Sequence, residues 1–123
     1  MENEIEVIKV IVAGSRNFDD YETLKSVCDY IIGNPEIKVE VISGNANGAD
    51  KLGERYAQEK NYELKIFKAD WDKHGKKAGY IRNAEMGDYG NLLIAFWDGK
   101  SKGTKNMIDI AKKKGMSSMV YNF

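Results

Sequence analysis

Apolar residues follow two rhythms along this chain. Short runs rich in β-branched and aromatic residues, Ile5 to Ala13, Val39 to Ser43, Leu64 to Phe67, Leu92 to Phe96 and Ser118 to Tyr121, predict strands. Val10 to Ala13 and Leu92 to Phe96 are continuously apolar, as strands covered on both faces must be. Between the runs the apolar residues fall at helical spacing. Leu24, Val27, Cys28, Ile31 and Ile32 form one such set. Ala49, Leu52, Gly53, Tyr56 and Ala57 form the inner face of a helix from Asn47 to Lys60. Ile81, Ala84 and Met86 lie in a helix from Tyr80 to Asp88, and Met107, Ile108 and Ala111 point inward from one spanning Thr104 to Lys114. Asp19 and Glu22 have the spacing of a capping box, and Gly33 and Gly115 fit helix C-caps. Pro35 blocks continuation of the first helix.

Strands alternating with helices predict an α/β fold: a Rossmann-like three-layer αβα sandwich on a mostly parallel sheet of about five strands. The whole chain, 1–123, reads as a single domain, without repeat or linker. With strand order 3-2-1-4-5, the loops after the second, first and fourth strands share one edge, where such sheets take ligands. These are the glycine loops: Gly44 to Asp50, Gly14 to Asn17, and Asp98 to Thr104.

The central one, Ser43-Gly44-Asn45-Ala46-Asn47-Gly48-Ala49-Asp50, empties a strand through glycines into a helix N-terminus. Bare amides and the helix dipole there favour an anion, and glycine lets a phosphate approach the backbone. Its spacing is not that of a dinucleotide GxGxxG loop or a Walker loop. No Cys/His metal cluster and no serine elbow occurs, so no metal is expected.

Composition narrows the classes. There are 19 basic and 19 acidic residues, a formal net charge of zero. A dedicated nucleic-acid binder usually carries a basic surplus, so a small ligand is favoured over nucleic acid as partner. No apolar run reaches the ~20 residues of a membrane span, and the acidic Met1 to Glu6 stretch is no signal peptide. The lone Cys28 suits a reducing cytoplasm and a core position.

Several side chains carry candidate chemistry. Arg16, after Gly14-Ser15, can fork onto a phosphate or stack on a base. Asp50 can accept from a ribose, order the loop backbone or simply complement the charge of the helix N-terminus, a structural role being preferred. The long loop Lys68 to Gly79, continuing to Arg82, holds Lys68, Lys73, Lys76, Lys77 and Arg82 against Asp70 and Asp72, five minus two, a local surplus of three. It also carries Trp71, expected in the core with base stacking as the alternative, and His74, expected to contact a phosphate or hydroxyl or to serve only structure. Lys100, Lys102 and Lys105 surround the third glycine loop.

Taken in order, Gly14-Ser15-Arg16, Ser43-Gly44 with Gly48-Ala49-Asp50, Ala69-Asp70-Trp71-Asp72-Lys73-His74-Gly75-Lys76-Lys77-Ala78-Gly79, Ile81-Arg82-Asn83 with Met86, and Asp98-Gly99 with Gly103-Thr104 resemble the YspA/YpsA-related branch of the SLOG superfamily. The resemblance covers nearly the whole chain. It implies a Rossmann-like domain binding nucleotides or nucleotide-derived ligands. Relatives include LOG-type phosphoribohydrolases, DprA, and sensors of NAD-derived signals. Together with the residue reading above, this gives the candidate ligand-binding set Gly14, Ser15, Arg16, Ser43, Gly44, Asn45, Asn47, Gly48, Asp50, Asp70, Trp71, His74, Arg82, Asn83, Asp98, Gly99, Gly103 and Thr104. In the LOG pattern, Arg82 matches an arginine and Gly103-Thr104 a Gly-Thr pair, but the glutamate position falls on Met107 and the proline position on Trp97. Methionine cannot move a proton or stabilise an oxocarbenium charge. Asp109 lies about 200° further round the helix. This argues against phosphoribohydrolase activity.

Three readings follow. The first is a sensor or binding module for a nucleotide or an NAD/ADP-ribose-like ligand, with no other cofactor. The second is a hydrolase of a nucleotide glycosidic or phosphate bond using Asp98, Asp70 or His74; no residue is assigned catalysis. The third is DprA-like single-stranded DNA binding, which the neutral charge disfavours. Pairing of the chain with itself stays open.

Overall fold

A computed structural model describes residues 6–33 and 36–123. Pro35 and most of the acidic N-terminal stretch, including the expected strand start at Ile5, lie outside the described residues.

The elements run β1 (Val7–Gly14), α1 (Tyr21–Ile32), β2 (Lys38–Ser43), α2 (Ala49–Glu59), β3 (Glu63–Ile66), α3 (Trp71–His74), a 3-10 turn (Gly75–Lys77), α4 (Ala78–Tyr89), β4 (Leu92–Trp97), α5 (Lys102–Lys113) and β5 (Ser117–Asn122). The sheet has five strands in the order β3-β2-β1-β4-β5. Every neighbouring pair is parallel, in registers such as Val10 with Val41 and Val12 with Ile94. This is the predicted Rossmann-like α/β fold, with all strand carboxyl ends at one edge.

Strand periodicity divides the core. Val10, Val12, Val41, Ile94 and Phe96 face α1 and α2, meeting Phe18, Leu24, Cys28, Tyr56 and Ala57. Ile11, Ala13, Ile42, Leu93 and Ala95 face the other way, onto Met86 of α4 and Met107, Ile108 and Ala111 of α5. Both faces are needed, which is why the central strands read as unbroken apolar runs. Burial pushes the Cys28 thiol up to about 12, with Asp29 adding to the effect, so it is a core filler without thiolate character. Tyr56 is buried to its hydroxyl, which donates to Asp29 Oδ1 at 2.7 Å and ties α2 to α1.

Three expectations are corrected. The first helix is capped by Asp20, whose carboxylate accepts from Thr23 N–H at 3.1 Å, one residue after the anticipated Asp19. The second begins at Ala49, because Gly48 has a backbone no helix can use. The stretch from Lys68 to Gly79 is mostly helical. Asp70 accepts from Lys73 N–H at 3.1 Å and starts α3, and α4 begins at Ala78.

Candidate functional site

At the carboxyl edge the three glycine loops interlock through their backbones. Ser15 N–H donates to Phe96 O at 2.8 Å, and Ala49 N–H donates to Ser15 O at 3.4 Å. The buried Ser15 hydroxyl accepts from Asp98 N–H at 3.1 Å. Gly48, at φ 79°, passes so close that a Cβ would lie 2.4 Å from Ser15 O and 2.5 Å from Arg16 O. Asp98 turns inward on its own loop: its Oδ1 accepts from Lys100 and Ser101 N–H at 2.9 and 2.8 Å, and these bonds hold its carboxyl below the usual carboxylate range.

The loop after β2 is built the same way. Ser43 Oγ donates to Glu54 Oε2 at 2.7 Å and accepts from Asn45 N–H at 3.0 Å. Asn45 takes the left-handed conformation, φ 64°, which asparagine tolerates better than most residues. Its side-chain amide donates to the same glutamate at 3.2 Å. Asp50 is 4% exposed, and its Oδ2 accepts from Ala46 N–H at 3.1 Å. Burial raises its carboxyl to about 6, against the opposing pull of the Ala46 amide and of Arg82.

Arg82 of α4 crosses to this loop. Its Nη1 donates to Gly44 O at 2.5 Å and its Nε to Asn83 Oδ1 at 3.0 Å. A Cβ at Gly44 would sit 2.9 Å from Asp50 Oδ2 and 3.0 Å from Arg82 Cζ, so any side chain there would have to push these two side-chain ends aside. Buried Asn83 in turn donates to Gly103 O at 3.2 Å and Asn106 Oδ1 at 3.0 Å. One chain of contacts thus runs from β2's loop through α4 to the start of α5.

Over this frame lies a hollow of about 340 Å³, lined by Arg16, Gly44, Asn45, Ala46, Asn47, Lys68, Ala69, Trp71 and Arg82. A smaller chamber of about 80 Å³ shares Arg16, Ala46 and Arg82 with it and adds Gly14, Asp50, Asn83, Ser101, Gly103 and Thr104 over a floor of Ala13, Met86 and Met107. Behind Arg82 a third cavity of about 210 Å³ gathers Lys68, Asp70, Lys73, His74 and Glu85.

The structure therefore brings most of the sequence-derived residues together. Ser15, Ser43, Gly48, Asp98 and Gly99 stand outside the three cavities; the contacts above make the first four braces of the loops. Asp70 and His74 line the neighbouring cavity. Trp71 corrects the expectation of core packing: it is 52% exposed, because α3 lies beyond the strand ends with no sheet beneath it. Asp50 is turned onto its own loop at the Ala46 amide. Sequence reasoning missed Glu54, whose only signal was its place one helical turn after Asp50, and Ser101, the residue capping α5. Met107 at the chamber floor is 1% exposed. Among the described residues no group of three or more His, Cys, Asp or Glu side chains could hold a metal ion.

With this geometry in view, comparison with known proteins is decisive on one point. A model of the YspA, cpYpsA-related SLOG family matches residues 8–74. The chain belongs to this family. The SLOG match holds Gly14 to Arg16, the Ser43 to Asp50 loop and Asp70 to His74, whereas Arg82 and the Asp98 to Thr104 loop follow it. The Gene 61 protein of Mycobacterium phage D29 is 38% identical over 122 residues, covering 94% of this chain and 95% of that protein. Among solved structures, DNA processing protein A (DprA) from Streptococcus pneumoniae superposes with a TM-score of 0.73 at 14% identity. That alignment covers 94% of this chain and 50% of the DprA chain, so this SLOG chain spans half the length of that relative, and the likeness is one of fold.

Proposed function

We propose that this SLOG domain binds a nucleotide or nucleotide-derived ligand, of the nucleoside phosphate or ADP-ribose/NAD kind, in the hollow at the carboxyl edge. The observation that carries the reading is Arg82. It is partly buried, its guanidinium is fixed to Gly44 O and Asn83, and among the described residues it forms no ion pair within 4.0 Å. Burial draws its pKa down, with Arg16 adding to the effect and buried Asp50 opposing it. A phosphate is the partner such a fork is shaped for.

The remaining lining fits the same ligand. Arg16 and Lys68 add positive charge, Asn45 and Asn47 offer donors and acceptors, and Trp71 supplies an exposed aromatic face for a base. Gly103 and Thr104, at the start of α5, give the smaller chamber main-chain donors of an anion site. With Met107 where the LOG pattern has glutamate, binding rather than hydrolysis is the activity proposed.

Calorimetry with AMP, ADP-ribose, NAD and a cyclic nucleotide tests this. At least one ligand should bind the wild-type protein and lose most of its affinity in the Arg82→Ala variant. Folded protein silent to the whole panel, or binding indifferent to Arg82, overturns the reading.

A further inference from the structure

The cavity of about 210 Å³ behind Arg82 takes no part in the binding just described. Two helix faces form it. From α4 come Ala78, Ile81, Arg82 and Glu85, whose spacings of three and four residues put them on one side of the helix. From α3 come Lys73 and His74, with Asp70 at its cap, again three and four residues apart. Lys68, just after β3, completes the lining. Trp71, on the same short helix, lines the hollow instead. Hollow and cavity meet at the two residues they share, Lys68 and Arg82.

Charge around the cavity is mixed and unspent. Lys68, Lys73 and Arg82 stand with Asp70 and Glu85 around one space, yet none of them closes to an ion pair within 4.0 Å among the described residues. Asp70 Oδ1 accepts from Lys73 N–H at 3.1 Å. The side chains of Lys68, Lys73, His74 and Glu85 have no hydrogen-bond partner among the described residues. A phosphate here would satisfy the cations but meet two carboxylates, and a cation would do the reverse. A group with several hydroxyls satisfies both sets, since each hydroxyl donates to a carboxylate and accepts from an ammonium. Ala78 and Ile81 add an apolar patch on which the C–H face of a sugar ring can rest.

Building on the nucleotide reading above, we propose that this cavity is a sugar subsite and that the ligand is a nucleoside diphosphate carrying a terminal sugar. Its base lies beside Trp71, its phosphates at Lys68 and Arg82, and its sugar hydroxyls against Glu85, Asp70, Lys73 and His74. The order base, phosphate, sugar along such a molecule matches the order hollow, shared cations, cavity along the protein. A mononucleotide fills the hollow and leaves the cavity unused.

Calorimetry with ADP and two ADP-sugars, ADP-ribose and ADP-glucose, tests this. At least one ADP-sugar should bind the wild-type protein about tenfold or more tightly than ADP. Glu85→Ala is the deciding variant. Glu85 is exposed on α4 without a partner among the described residues, and alanine is the best helix former, so the fold is kept. With hydroxyls on this carboxylate, the variant should lose about tenfold for that ADP-sugar and less than about twofold for ADP. His74→Ala, on the α3 side, should show the same split. If a phosphate occupies the cavity instead, removing the negative charge of Glu85 will tighten binding, and the proposal falls. It falls equally if neither ADP-sugar outbinds ADP, or if the ADP-sugar is indifferent to Glu85→Ala; Arg82-dependent binding of ADP would then leave the nucleotide reading standing. Folded protein silent to all three ligands overturns that reading and the subsite with it.

Discussion

Replacing Gly48 by alanine perturbs the point where two glycine loops cross. The added Cβ would lie 2.4 Å from Ser15 O, 2.5 Å from Arg16 O and 2.6 Å from the Arg16 carbonyl carbon. All three are main-chain atoms, so no side-chain rotation can relieve the overlap. The backbone at φ 79°, ψ −129° is itself costly for any residue with a Cβ, about 1–3 kcal/mol. Displacing the loop or α2 to relieve the clash adds a comparable amount, for a total near 4 kcal/mol. At an unfolding entropy of roughly 2.1 cal/mol/K per residue, a chain of 123 residues loses about 4 °C of Tm per kcal/mol, so Tm should fall by about 15 °C. Gly99 is the matched control. It also has a positive φ, 81°, yet a Cβ there would meet nothing within 4 Å. Gly99→Ala should therefore lose only the conformational part, about 1–2 kcal/mol or about 4–8 °C. Differential scanning calorimetry of the two variants reads the difference directly. Equal losses would show that loop crossing contributes nothing and would refute the steric argument.

Other outcomes follow from the same geometry. Because the folded Asp50 carboxyl sits at about 6 against an ordinary 3.8, the folded state holds the proton more tightly. Its stabilising contribution is full below the ordinary value and is lost as pH rises through about 6; urea titrations at about pH 4 and 7 should show Asp50→Asn gaining on the wild type by up to about 3 kcal/mol at the higher pH. Trp71→Ala should leave Tm within about 2 °C, since the ring is half exposed, while costing any base-bearing ligand about 1–3 kcal/mol in calorimetry. Gly103→Ala places a methyl in open space at the start of α5, so thermal unfolding should shift by no more than about 2 °C while phosphate-bearing ligands weaken. Tyr56→Phe should lower stability by about 1–2 kcal/mol in denaturant unfolding, since Asp29 loses a donor in the α1–α2 contact.

The fold was legible because the central strands are apolar without interruption and the helices between them keep period. Val10 to Ala13 and Leu92 to Phe96 proclaim burial on both sides, and the strand order taken for such an alternation, 3-2-1-4-5, is the one observed. The stretch after β3 was illegible for the opposite reason. α3 buries no residue, so no periodicity marks it, and its one local signal is the Asp70 cap. Trp71 was misplaced because a large aromatic usually finds a core, whereas this one stands past the last turn of the sheet. The convergence of Gly14, Gly44 and Gly103 followed from topology alone. The crossing of Arg82 to Gly44 O spans 38 residues and depends on a helix start that charge and glycine content concealed.

The hollow has one wall bonded across three elements and one wall carried on a short exposed helix. Arg82, Asn83 and the Gly44 turn are clamped by bonds reaching three separate elements, while Trp71 stands on a four-residue helix that buries no residue, its ring beside Gly79 of α4. Under the proposed function, ligands of unequal length would share the anchored end and differ in what they set beside Trp71. Ranking such ligands by affinity would mainly report what they present to the clamp.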